Sequence, residues 1–181
     1  RLVGGECSFY ACMPSKALLR PLEIRAEAAR VKGVEVGGLD VPAVLARRDE
    51  VVHDLDDSSQ LPWLTDRGVT LVRGHGRLAG ERRVTVGDET LVARKAVVVA
   101  TGSSGTIPPV PGLAEARPWT NVEATTAKQV PGRLAICGGG VVGVEMAQAW
   151  ASLGSQVTLI HRGTRLIERE EPFAGEQVHD A

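Results

Sequence analysis

The sequence predicts an α/β fold, and three observations lead to it. Leu134-Ala135-Ile136-Cys137, a glycine-rich turn, an amphipathic stretch over about Val141 to Leu153, and Gln156-Val157-Thr158-Leu159-Ile160 make a strand, helix, strand unit. Nearer the N-terminus, helical spacing of apolar residues runs from about Cys12 to Val31 and again from about Val41 to Leu55. Between these helices and the later unit the period falls to two, over short runs separated by Gly-containing turns.

Taken in order, Gly4 to Cys7 reads as a loop. The first helix offers Leu18, Leu22, Ala26 and Ala29 on its apolar face, and Pro21 is expected to kink or restart it because the ring removes a backbone donor. Gly33, Gly37 and Gly38 break the chain, and Asp40 has the short acceptor side chain that caps a second helix. That helix presents Val44, Leu45, Val51, Val52 and Leu55 to a core, while Arg47, Arg48, Asp49 and Glu50 read as solvated. Val69 to Arg73, Arg83 to Val86 and Thr90 to Val92 are expected to form an antiparallel meander. Ala96 to Ala100 is apolar on both faces, as in a strand covered on both sides, and Pro108 to Gly112 reads as an extended connector. A boundary near Pro131 divides the chain into 1–130 and 131–181. The start at Arg1 without an initiator Met, and the close over Gly175 to Ala181 without a clear helix stop or strand partner, lead us to expect a fragment.

Composition narrows the function. Twenty-one Lys and Arg balance 22 Asp and Glu, so there is no basic surplus to hold a nucleic-acid backbone. No apolar run approaches the ~20 residues that span a bilayer, and nothing at the N-terminus resembles a signal peptide, so a cytoplasmic protein away from membranes is expected. Three cysteines are too few for a disulfide framework and point to redox catalysis or sensing.

Gly138-Gly139-Gly140-Val141-Val142-Gly143 is a GxGxxG pattern in the strand, turn, helix context that makes it specific for a dinucleotide. Gly138 permits the tight turn, Gly140 lets a diphosphate reach the backbone and the helix N-terminus, and Gly143 allows close helix-to-strand packing. An adenosine ribose with a free 2'-hydroxyl is usually held by an acid at the end of the second strand. Here His161 and Arg162 follow Ile160, and the first acid is Glu168. A 2'-phosphate, hence NADPH rather than NADH, is therefore expected, with Arg162 its main ligand and His161 or Arg165 assisting. Without a ligand the same residues read as a tight turn followed by exposed basic side chains.

The cysteines carry the second constellation, Cys7-Ser8-Phe9-Tyr10-Ala11-Cys12-Met13-Pro14-Ser15-Lys16. Two cysteines with four residues between them can be bridged if the intervening chain curls back until their Cβ atoms approach to about 4 Å. Spacing alone also allows two unrelated reduced thiols. A structural zinc site needs four ligands, and no suitably spaced His or second cysteine pair lies nearby, so no metal is expected. His53, His75 and His179 read as surface or loop residues.

Gly4-Gly5-Glu6-Cys7-x4-Cys12-Met13-Pro14-Ser15-Lys16 resembles the redox-active signature of the pyridine nucleotide-disulfide oxidoreductases, the family of dihydrolipoamide dehydrogenase, glutathione reductase and mercuric reductase. Val99-Ala100-Thr101-Gly102-Ser103 followed by Pro108 to Gly112 resembles the family's second FAD-contacting motif, and the glycine-rich turn with Glu145 and Ala147 its nicotinamide domain. The resemblance implies Rossmann-like FAD- and NAD(P)-binding domains with a small antiparallel meander, residues 1–130 being a partial FAD domain and 131–181 the start of the NAD(P) domain. It implies electrons passing from NAD(P)H to FAD, to a Cys7–Cys12 disulfide, and on to a small-molecule or thiol/disulfide substrate. By position Cys7 resembles the interchange thiol and Cys12 the thiol held against the flavin. Lys16 resembles the lysine near the flavin's reactive nitrogen and Glu145 its ion-pair partner. Gly4, Gly5, Ala100, Thr101 and Gly102 fall where backbone approaches FAD.

By the same resemblance, a first FAD motif belongs before Arg1 and an interface domain, through which members form homodimers, after Ala181. The acid-base pair of that domain typically contributes ~100-fold or more, so a poorly active fragment is expected. Ser8-Phe9-Tyr10-Ala11 replaces the commoner Leu-Asn-Val-Gly type, and Gly105 stands where a Pro is common, leaving the connector less rigid. Two rival readings remain: a flavin oxidoreductase acting on a quinone, metal ion or nicotinamide acceptor with accessory cysteines, and a non-catalytic truncated nucleotide-binding module.

Overall fold

The structure, a computed structural model, describes residues 2–180. In chain order the elements are α1 (Gly5–Phe9), α2 (Cys12–Ala29), α3 (Val41–Val51), α4 (Leu61–Asp66), β1 (Gly76–Leu78), β2 (Arg83–Val86), β3 (Glu89–Val92), α5 (Asn121–Thr126), β4 (Arg133–Cys137), α6 (Val141–Ser152), β5 (Gln156–Ile160) and α7 (Pro172–Asp180). They fall into two compact units: the chain up to Asp56 together with the chain from Gly105 onward, and the intervening Asp57–Ser104.

In the first unit, Leu18, Leu19 and Leu22 of α2 meet Val44 and Leu45 of α3 and Met146, Ala149 and Trp150 of α6 in one buried cluster. Only the first half of α2 faces this core, for Ala26 and Ala29 are exposed. The helix runs on through Pro21. The ring deprives the Ala17 carbonyl of its donor, and Arg47 Nη1 donates to that carbonyl instead, at 3.3 Å. α3 starts where expected, with Asp40 Oδ1 accepting from the Ala43 N–H at 3.0 Å. Trp150, fully buried, donates from its indole N–H to the Ala124 carbonyl at 3.2 Å, tying α6 to α5. β4 and β5 pair in parallel with Cys137 opposite Ile160, and α6 packs against both. Cys137 ends β4 exposed, not in the core, because only alternate residues of the two strands face α6.

Arg48 departs furthest from the sequence reading. It is fully buried, donating to the carbonyls of Thr125 at 2.5 Å and Ala127 at 2.9 Å and from Nε to Asp49 at 2.8 Å. Carbonyls at a helix C-terminus lack partners within the helix and sit at its negative end, so a buried guanidinium there is matched by geometry and charge. Burial pushes the Asp49 carboxyl upward, but Lys128 at 2.8 Å and Arg48 outweigh it and hold that carboxyl below its ordinary range.

The second unit holds the meander, β1 antiparallel to β2 and β2 to β3. Its first strand is Gly76–Leu78 and not Val69 to Arg73, since the Val69 N–H closes the end of α4 by donating to the Leu64 carbonyl at 2.9 Å. Ala96 to Ala100 is no strand either: among the described residues it has no ladder partner, and Val98 is 85% exposed. An apolar pattern signals a need for cover but supplies no neighbour to pair with.

Candidate active site

Cys7 and Cys12 are joined in a disulfide with Cα atoms 4.7 Å apart. The chain curls between them because α1 ends at Phe9, capped by Tyr10 whose N–H donates to the Glu6 carbonyl at 2.7 Å, and α2 begins at Cys12. Both cysteines are exposed. As the first residue of α2, Cys12 sits where unpaired N–H groups and the helix dipole stabilise a thiolate. Gly4 precedes α1 with a φ of 114°, and Gly5 opens it.

Lys16 lies one turn beyond Cys12 on the same face of α2, and its Nζ pairs with Glu145 of α6. Glu145 in turn stands in the helix that opens at the glycine-rich turn. Two sites 129 residues apart in sequence are thereby joined side chain to side chain.

The three glycines of that turn serve different needs. Gly138 takes a φ of 120° while its N–H donates to the Ile160 carbonyl at 2.8 Å. A Cβ on Gly143 would be driven into the Gly138 carbonyl oxygen, so close packing alone excludes a side chain there. At Gly140, the residue before α6, a Cβ would meet nothing within 4 Å. That open space, at the N-terminus of a 12-residue helix, leaves room for a diphosphate against the backbone, so the residues present fit a dinucleotide.

After β5 the chain folds back over the turn. His161 Nδ1 accepts from the Gly139 N–H at 3.2 Å, the Ile167 N–H donates to the Gly139 carbonyl at 2.7 Å, and His161 Nε2 lies 3.7 Å from Glu168. Arg165 closes this loop by donating to the carbonyls of Glu168 and Glu170 at 2.9 and 3.0 Å. Arg162 is exposed and makes no ion pair among the described residues. Ala100, Thr101 and Gly102 lie in the other compact unit as exposed chain outside any helix or strand, with Gly102 at a φ of 72°.

The sequence reading missed α5 and what it does. Thr120 accepts from the Val122 N–H at 3.2 Å, while Glu123 accepts from the Thr120 N–H and hydroxyl, both at 2.7 Å. These bonds hold the Glu123 carboxyl below its ordinary range. Thr120-x-x-Glu123 is a capping box legible in sequence, and it would have located the helix that touches the cysteine segment through Asn121. Among the described residues no three His, Cys, Asp or Glu side chains converge as metal ligands would.

The pyridine nucleotide-disulphide oxidoreductase family matches this chain over residues 1–181. The chain belongs to that family. A mercuric reductase of Serratia marcescens is 36% identical over 187 residues, covering 97% of this chain and 40% of that protein. One from Bacillus cereus is 32% identical over 183 residues, covering 99% of this chain and 29% of that protein. The chain thus spans well under half the length of these relatives. Among solved structures, the Cu(II) complex of RclA, an HOCl-induced flavoprotein disulfide reductase from Escherichia coli, matches with a TM-score of 0.81 at 24% identity, covering 99% of this chain and 38% of that one. At that identity the likeness establishes the fold.

Proposed function

We propose that this chain carries the redox-active disulfide and the start of the nicotinamide-binding unit of a flavin-dependent NAD(P)H:disulfide oxidoreductase, with 1–130 a partial FAD domain and 131–181 the opening of the NAD(P) domain. The observation that supports it most is the Lys16–Glu145 pair, which links the helix begun at Cys12 to the helix begun at the glycine-rich turn. Gly138, Gly140 and Gly143 would hold the diphosphate of the nicotinamide cofactor. By the family resemblance, Gly4 and Gly5 in the first unit are backbone that would contact FAD, and Ala100, Thr101 and Gly102 in the second unit form by themselves the second FAD-contacting motif. When bound, these groups supply a hydride and pass its electron pair to the disulfide.

The chain's own residues do the rest. Cleavage of the Cys7–Cys12 bond leaves Cys12 as a thiolate, favoured by the α2 N-terminus and by Lys16 one turn along. Cys7, exposed, attacks one sulfur of a substrate disulfide, forming a mixed disulfide and expelling the first substrate thiol. Cys12 then attacks Cys7, restoring the bridge and releasing the second thiol. NADPH is the preferred donor in this reading: Arg162 is the cation left exposed for a 2'-phosphate, with Arg165 committed to its own loop and His161 to the glycine turn.

The relatives named mercuric reductase favour a second substrate, mercuric ion, which a pair of soft thiolates binds well. No helix among the described residues is long and apolar enough to cross a membrane. The family resemblance supports a cytoplasmic homodimer for the whole enzyme.

The test is the visible absorption spectrum of the purified protein before and after anaerobic addition of NADPH. A flavin spectrum that gains a long-wavelength shoulder is expected, and Cys12→Ser abolishes the shoulder. A spectrum unchanged by either nicotinamide contradicts the reading. Arg162→Glu is expected to lower the preference for NADPH over NADH at least tenfold, about 1.4 kcal/mol. Loss of disulfide turnover in Cys7→Ser, with retained reduction of a quinone, separates this mechanism from a flavin enzyme with accessory cysteines.

A further inference from the structure

Asn121, the first residue of α5, grips the chain on both sides of Cys7. Its side-chain amide has two hydrogens, and Nδ2 donates to Glu6 Oε1 at 2.8 Å and to the Tyr10 carbonyl at 3.0 Å. Glu6 immediately precedes Cys7, and Tyr10 lies inside the segment that separates the two cysteines. Thr125 Oγ1 also approaches the Tyr10 carbonyl, at 3.3 Å, but its single hydrogen is better placed toward the Asn121 carbonyl at 2.8 Å. Asn121 itself is seated firmly. The Thr120–Glu123 box fixes the start of α5, and buried Arg48 fixes its end through Thr125 and Ala127.

We propose that Asn121 is a positioning residue for the cysteine couple. By tying Glu6 to Tyr10 it holds the inter-cysteine segment in its curled form when the bridge is open. The Cys7 and Cys12 sulfurs then stay close as a dithiol, which raises their effective concentration and favours the disulfide. The inference rests on the disulfide-oxidoreductase reading but acts through this chain's residues alone, so it is read without flavin or nicotinamide.

The experiment equilibrates the chain anaerobically in dithiothreitol buffers of known thiol-to-disulfide ratio, quenches with an alkylating agent, and reads Cys7 and Cys12 by mass spectrometry. Two electrons and two protons pass from dithiothreitol to the bridge, giving two thiols and the cyclic oxidised reagent. Asn121→Ala is expected to weaken disulfide formation about tenfold, raising the potential by about 30 mV. Asn121→Asp, close in shape but without the two donors, shifts it in the same direction. Val44→Ala, which loosens the core away from the loop, leaves the potential unchanged and controls for general destabilisation. An unshifted or lowered potential in both Asn121 variants, or an equal shift in Val44→Ala, overturns the proposal while leaving the redox role of the cysteines intact. An unaltered chain whose bridge cannot be reduced and reformed overturns both.

Discussion

Lys16, one turn into α2, keeps its side chain 58% exposed and meets the Glu145 carboxylate, whereas Arg48, late in α3, is fully buried and meets two main-chain carbonyls and Asp49. In sequence each is a cation on the polar side of an amphipathic helix. The difference lies in what the fold sets opposite them. A charge left in water is cheap to keep and contributes little to stability, so Lys16 adds little to the fold, and the function proposed above gives its placement a chemical role. A charge removed from water must be matched at every donor, so Arg48 serves the fold.

The sharpest way to break this contrast is Arg48→Met. It leaves the Thr125 and Ala127 carbonyls without their donor, and a loss of about 3–5 kcal/mol in the denaturant-unfolding free energy is expected. Gly143→Ala comes next: its Cβ collides with the Gly138 backbone, and overpacking of that kind costs about 1–3 kcal/mol together with weaker NADPH binding by calorimetry. Lys16→Met should change stability by less than about 1 kcal/mol. It should nonetheless slow nicotinamide-driven reduction of the disulfide about tenfold, about 1.4 kcal/mol of barrier, in stopped-flow traces.

The smallest effect concerns pH. Asp49 and Glu123 are both held below their ordinary values in the folded chain. Each therefore contributes stability that is complete above the ordinary carboxylate range, near pH 4, and is lost as pH falls through the lower folded values. Thermal melts should be flat between pH 7 and about 5 and decline below about 4, with a shallower decline in Asp49→Asn.

The strand, turn, helix, strand unit was legible because each of its demands is local: a tight turn at Gly138, close packing at Gly143, alternation along β4 and β5. The Asp40 cap was legible for the same reason. Arg48 was not, because its partners lie 77 and 79 residues away and nothing in α3 announces them. Pro21 does not end its helix, and the donor that replaces its missing N–H comes from Arg47, on another helix, which α2 alone does not announce. Asn121 was half legible: the capping box places it at a helix start, but its two acceptors come from the tertiary fold.

The central claim is that Cys7 and Cys12 form the centre through which electrons leave the protein. The most direct measurement is an anaerobic titration of the flavin-loaded protein with NADPH, followed by alkylation and peptide mapping. The account predicts that Cys7 and Cys12 become labelled together as NADPH is consumed, while Cys137 is labelled from the outset. Full flavin reduction with Cys7 and Cys12 still joined would contradict it.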